Sequence, residues 1–196
     1  VSLIDELEER QQRAYMLKAT RDDWNTPLVV VHAVRRAFDG QIDLDPCSNP
    51  ASVVGAAREF ILTPLDQTLP LPVPNWEARR VVVTDGLVEN WDAKSVFLNP
   101  PFGALRKWVD KCAQEYNNRR AMEIVALIPA RTDTRAWHEH VVQADAICLW
   151  RGRMKFSASG IAEPASAPFP TALVYWGRHR GRFAAAMEQH GLVFYP

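Results

Sequence analysis

The chain has no excess of either charge: 23 Lys and Arg face 23 Asp and Glu across 196 residues, for a formal net charge of zero. That excludes a histone-like polycation and an acidic tail protein. No apolar run approaches the roughly 18 residues of a membrane-spanning helix. No charged-then-apolar leader is present either, so a soluble cytoplasmic protein is expected. Cysteine is scarce. Cys47, Cys112 and Cys148 are odd in number and far apart, which fits reduced thiols better than a disulfide framework or a zinc site. Internal repeats are lacking. What is present is 22.2 kDa of chain with 47% hydrophobic and 23% charged residues, the make-up of one globular domain over 1–196.

The charge is polarised along the chain. Residues 1–100 carry 10 basic and 15 acidic side chains, whereas 101–196 carry 13 and 8. Such polarity is compatible with a basic face for nucleic acid in the second half, and also arises by chance. Apolar spacing predicts a helix over about 3–18. A second should start at Thr26-Pro27, with the Thr hydroxyl as cap, and stop at Asp39-Gly40. Leu105, Trp108, Val109, Cys112 and Tyr116 mark a third, and Asp133 or Thr134 should cap another through about Val142. A short basic helix is expected over 179–190.

Strands are predicted at 42–46, 80–84, 95–98, 123–128, 146–150, 171–176 and 192–195. Residues 51–60 read as a helix or an irregular segment. The prolines at 64–76 demand a loop, and 157–170 reads as a Gly/Ala/Ser/Pro-rich loop. Strands alternating with helices argue for an α/β fold with a mostly parallel sheet, whose ligands sit at the carboxyl ends of the strands. Three predicted strands end in Asp45-Pro46, Asp85-Gly86 and Asn99-Pro100-Pro101-Phe102.

The last of these is the sharpest signal. With Pro near 5% of residues, a polar-Pro-Pro-aromatic match arises by chance in about one such chain in a hundred. Its residue types have a chemical use. An amino group on a planar ring is a poor nucleophile because its lone pair is delocalised. The Asn99 side-chain carbonyl and the Pro100 backbone carbonyl can each accept one amino hydrogen, drawing the nitrogen towards a tetrahedral shape. Two prolines hold these acceptors in place. Phe102 offers a face for a flipped base, worth ~1–3 kcal/mol.

Here the sequence resembles the phage-type DNA N6-adenine methyltransferase (Dam) family. The resemblance runs from Trp24 to about Trp176. It is carried by Asp23-Trp24-Asn25-Thr26-Pro27, Leu44-Asp45-Pro46-Cys47-Ser48-Asn49-Pro50, Asp85-Gly86-Leu87 with Trp91, and Phe97-Leu98-Asn99-Pro100-Pro101-Phe102. Arg131-Thr132-Asp133-Thr134 and Gly152-Arg153-Met154-Lys155-Phe156 match as well. The resemblance implies a Rossmann-like sheet, S-adenosyl-L-methionine as cofactor and DNA as partner, in a phage or prophage setting.

It also implies roles. Trp24, Thr26 and Pro27 pack on the methionine end of the cofactor; Asp45, Pro46 and Cys47 receive its ammonium group. Asp85, with Gly86, accepts from its adenine amino group. Asn99 to Phe102 form the catalytic loop, Asn99 also lying against the methyl donor, and Arg153 and Lys155 of the Gly152–Phe156 match contact nucleic acid. Arg131, just past a strand end beside the expected site, is placed to contact phosphate or the cofactor carboxylate. A Gly-rich loop after the first strand is missing; Cys47-Ser48-Asn49-Pro50 stands there. No clear acid closes a second strand for the ribose, leaving Glu59 and Asp66 as candidates. No length remains for a separate target-recognition domain, so specificity falls to loops 64–76 and 155–170 or to a partner subunit; a homodimer is compatible with this.

Other readings are weaker. Pro46-Cys47 resembles the nucleophile of cytosine-C5 methyltransferases but stands at the wrong strand. His138-Glu139-His140 does not suit a metal, because helix positions two apart do not face together. The basic run 178–182 fits a phosphate site and a solvated surface equally. The same loop would serve N4-cytosine in DNA or a protein glutamine amide. A catalytically silent nucleic-acid-binding domain is the remaining alternative.

Overall fold

A computed structural model describes residues 24–49, 52–62, 80–158 and 165–196. The helix expected over 3–18, and the Pro-rich stretch 64–76 with Asp66, lie outside the described residues. In chain order the elements are β1 (Trp24–Asn25), α1 (Leu28–Ala37), β2 (Leu44–Asp45), β3 (Arg58–Ile61), β4 (Arg80–Val83) and β5 (Ala93–Leu98). Then come α2 (Leu105–Asn117), β6 (Ala121–Pro129), α3 (Arg135–Glu139), β7 (Ala146–Trp150) and β8 (Lys155–Ala158). β9 (Ala165–Ser166), β10 (Thr171–Trp176), α4 (Arg180–Met187) and β11 (Gly191–Phe194) follow.

Eight strands form one sheet in the order β11-β7-β10-β6-β5-β2-β3-β4. From β4 to β6 the neighbours are parallel; β10, β7 and β11 add antiparallel pairs. The chain steps outward from β2 to β4, then returns to β5 and steps the other way. The reversal places a switch point between β2 and β5, where their carboxyl ends open a crevice.

Strand residues alternate between two apolar layers, as the two-residue period requires. Phe97, Val125, Leu127, Leu173 and Tyr175 face Val30, Val34, Phe183 and Met187, from α1 and α4. Val96, Leu98, Ile124, Ala126 and Val174 pack with Trp108, Val109 and Cys112 of α2 and Trp137 of α3. Burial on both faces explains why these strands read as continuous apolar runs rather than alternating ones.

Four local expectations need correction. Residues 58–61 form β3 rather than a helix or irregular segment; the charges of Arg58 and Glu59 disguise a strand in which Glu59, Phe60 and Ile61 are buried. Thr26 does not cap α1: Pro27 takes the cap position without a side-chain bond, and its carbonyl accepts from Val30 and Val31 at 2.9 and 3.2 Å. Thr134 does cap α3, accepting from the Trp137 amide, but His140 turns away (φ −129°) and a 3-10 turn over Val141–Gln143 replaces the last part expected. The loop expected over 157–170 contains strand: β8 pairs with β9 and with β1 in a small antiparallel sheet. Its strands are too short and too rich in Ala and Ser to show a period.

Candidate active site at the carboxyl edge

The loops leaving β2, β3, β4 and β5 surround a cleft of about 270 Å³. Its wall includes Pro46 and Cys47, Asp85 and Gly86, Pro101, and Trp108 from the second turn of α2. Expected segments some 40 residues apart thus meet at one place. Gly86 makes the junction close, because a methyl group there would run into the Pro46 carbonyl oxygen. The Gly86 carbonyl in turn accepts from the indole N–H of Trp91 at 2.9 Å, and Trp91 is fully buried.

Each loop is held by its own polar residue. Asp45 Oδ1 accepts from the Cys47 amide at 3.2 Å, and Asp85 Oδ1 from the Leu87 amide at 2.9 Å. These side chains form Asx turns, a local device that fixes a loop without a Gly-rich sequence. The β2 loop is also tied to β3, since Ser48 donates to Glu59 Oε2 at 2.6 Å and its amide to the Phe60 carbonyl at 3.0 Å. Glu59 is fully buried and lies away from the cleft surface. Burial pushes the Cys47 thiol well up, and the Asp45 carboxylate raises it further. A thiol held protonated is a poor nucleophile, which argues against the cytosine-C5 reading.

The Asn99 loop leaves β5 at the switch point. Asn99 is half-buried with its amide oxygen shielded from solvent, Pro100 is buried, and Pro101 reaches the cleft. Phe102 opens a 3-10 turn and points towards a ring cluster, 5.0 Å from Phe169 and 6.3 Å from Phe156, edge to face with both. The Arg131 guanidinium lies over the Phe169 ring at 5.8 Å, one ring removed from Phe102. Arg153 and Lys155 are exposed on the approach to and the start of β8. Trp24 belongs to β1, Thr26 is 4% exposed and Pro27 caps α1; neither Thr26 nor Pro27 lines the cleft.

Sequence reasoning did not single out Phe60, Ile61, Thr84 or Trp108, which also line the cleft. Only Trp108 left a signal: it stands on the apolar face of α2, nine positions beyond Asn99. His138, Glu139 and His140 diverge, with Glu139 taken by Arg135 and Arg106 and His140 2.8 Å from Asp110.

A doubly wound sheet with polar loops at its switch point defines a Rossmann-like fold, which a solved methyltransferase structure shares. A candidate RNA methyltransferase from Pyrococcus horikoshii superposes with TM-score 0.51 at 13% identity, over 78% of this chain and 86% of that one. A Thermoplasma acidophilum protein gives TM-score 0.47 at 13% identity, over 78% and 89% of the two chains. The human methyltransferase 10 domain containing protein gives 0.44 at 14%, over 78% and 80%. No curated protein sequence matches significantly.

The profile of the DNA N-6-adenine-methyltransferase (Dam) family matches residues 74–187, more than half of the chain, which therefore belongs to that family. It is a methyltransferase, and the family implies a methyl donor of the S-adenosylmethionine type. The match spans Asp85 and the Asn99 loop; Thr26 and Asp45 precede it.

Proposed function

We propose that the protein transfers a methyl group from S-adenosyl-L-methionine to the exocyclic N6 amino group of adenine in DNA. The observation that carries this is the shared cleft, in which Pro101 of the Asn-Pro-Pro-Phe loop meets Pro46 and Cys47 of one turn and Asp85 and Gly86 of another. The cleft suits the donor's nucleoside end. Its volume of about 270 Å³ lies just below the roughly 300 Å³ at which small-molecule sites begin. Phe60, Ile61 and Trp108 give apolar walls for a ring, and one Asp85 oxygen remains beyond the Leu87 turn to accept from an amino group.

The turn that Asp45 holds would then present Pro46 and Cys47 to the donor's ammonium group. When bound, the donor supplies an electrophilic methyl group. This chain's part is to prepare the acceptor. The Asn99 amide oxygen and the Pro100 carbonyl accept the two amino hydrogens, the nitrogen pyramidalises and its lone pair is aimed at the methyl. A shielded amide acceptor interacts more strongly than one in water. Phe102 stacks on the flipped base, and Arg131, Arg153 and Lys155 take phosphates.

Nucleoside mass spectrometry tests the reading. Protein incubated with S-adenosylmethionine and unmethylated duplex DNA should yield N6-methyladenine. N4-methylcytosine instead, or no methylated base from duplex or single-stranded DNA despite donor binding, would overturn adenine as the acceptor.

A further inference from the structure

A second cavity, of about 420 Å³, opens at the opposite edge of the sheet, where β6 begins and β10 ends. Tyr116, Asn117, Arg119, Met122, Arg178 and His179 form most of its wall. β6 runs nine residues from this edge to Pro129, about 26 Å at ~3.3 Å per residue, so the cavity is not part of the catalytic cleft.

Three cations, Arg119, Arg178 and Arg182, outnumber the two carboxylates near this cavity, Glu123 and the Asp145 that lies beside Tyr116 and accepts from the Gly177 amide at 2.8 Å. Glu123 reaches the wall but is already held by Arg182, at 2.6 and 2.8 Å, and by the Tyr175 hydroxyl at 2.6 Å. Arg119 and Arg178, by contrast, enter no ion pair among the described residues. Arg119 follows α2 with φ of 59°, in the left-handed region normally given to Gly or Asn, and this directs a cation to the cavity mouth. α4 begins immediately after His179, which stands with Arg178 in the cavity wall. Tyr116 and Met122 supply a ring and an apolar surface beside these cations.

We infer that this cavity binds a phosphate-bearing ligand: a phosphate dianion or a nucleotide phosphate held between Arg119 and Arg178 at the start of α4. It is independent of the catalytic cleft and assigns a role to the basic run 178–182. Within that run Arg182 is structural, tied to Glu123, while Arg178 and His179 face the ligand.

The test titrates the full chain with inorganic phosphate, with deoxyadenosine monophosphate and with a duplex oligonucleotide, following the amide resonances of Gly177 and Gly181. The proteins are wild type, the Arg119→Ala/Arg178→Ala double variant and Arg178→Glu. Wild type should bind at least one of the three with shifts at these glycines, and both variants should bind it at least tenfold more weakly. Donor affinity at the carboxyl-edge cleft should be unchanged. Response to phosphate alone identifies a free anion, tighter response to the nucleotide adds ring packing on Tyr116, and response confined to the duplex identifies backbone phosphates. Unchanged affinity in both variants, or no shift at these glycines with any of the three, would overturn the inference.

Discussion

At the amino ends of the central strands, Glu115 is fully buried and bonded on every side. Lys111 lies 2.8 Å away, Arg120 donates two hydrogen bonds at 2.7 and 2.9 Å, and the Trp91 amide donates one at 3.0 Å. At the carboxyl ends, Asp85 is part-exposed, turns one oxygen to its own loop and enters no ion pair among the described residues. The same functional group thus serves two ends. Buried and saturated, it fixes where α2 and β6 lie; half-open and singly bonded, it leaves one oxygen uncommitted within its loop. The first use contributes stability, and the second is the arrangement that the proposed function needs for an amino group.

This difference can be broken at either end. The largest effect is expected at Glu115. Burial alone would raise its carboxyl, but hydrogen bonds from Arg120, Lys111 and Trp91 outweigh that and hold it down to about 2 from 4.5. A carboxyl lowered in the folded state stabilises above its unfolded value and loses that contribution as pH falls through its folded value. The unfolding free energy from urea titrations should therefore decline between pH 4.5 and about 2, by up to about 3 kcal/mol. Glu115→Gln should remove about 3 kcal/mol at pH 7 and flatten the decline, while transfer per folded molecule stays unchanged.

Gly86→Ala acts at the junction of the turns that follow β2 and β4. The added methyl meets the Pro46 carbonyl, and overpacking of this kind costs about 1–3 kcal/mol. Calorimetry should show donor affinity falling about tenfold, or about 1.4 kcal/mol, with a modest loss of thermal stability. Equal affinity would separate the Pro46 turn from the donor. The smallest effect belongs to the exposed cations. Arg153→Ala/Lys155→Ala should weaken DNA binding a few-fold and make the salt dependence shallower by about 1.8 in log–log slope. Donor affinity should not change.

Much of this arrangement was legible in the residues. Asp45, Asp85 and Asn99 sit at strand ends because polar residues interrupt apolar runs there, and a parallel sheet gathers such ends on one side. β7 and β10 were readable to the residue for a related reason, being bounded by polar or turn-forming neighbours. β3 was hidden because its charged residues are paid for by partners distant in sequence, Ser48 and the backbone around Trp91, where Arg58 donates to the carbonyl oxygens of Trp91 and Asp92. The ring cluster around Phe102 was hidden for the same reason: Phe156 and Phe169 arrive from beyond position 150 and share no local pattern with the Asn99 loop. Position 119 carried no sign of its left-handed backbone, since Arg is not the residue expected there.

The central claim is that the carboxyl-edge cleft holds the donor while the Asn99 loop grips the acceptor. It is tested most directly by single-turnover methyl transfer to DNA from donor-saturated protein, comparing wild type with Asn99→Ala. Loss of one preorganised acceptor should slow the chemical step by ~10²–10³-fold, with thermal stability preserved. A variant that transfers at the wild-type rate would contradict the account, because the amino group would then be held elsewhere.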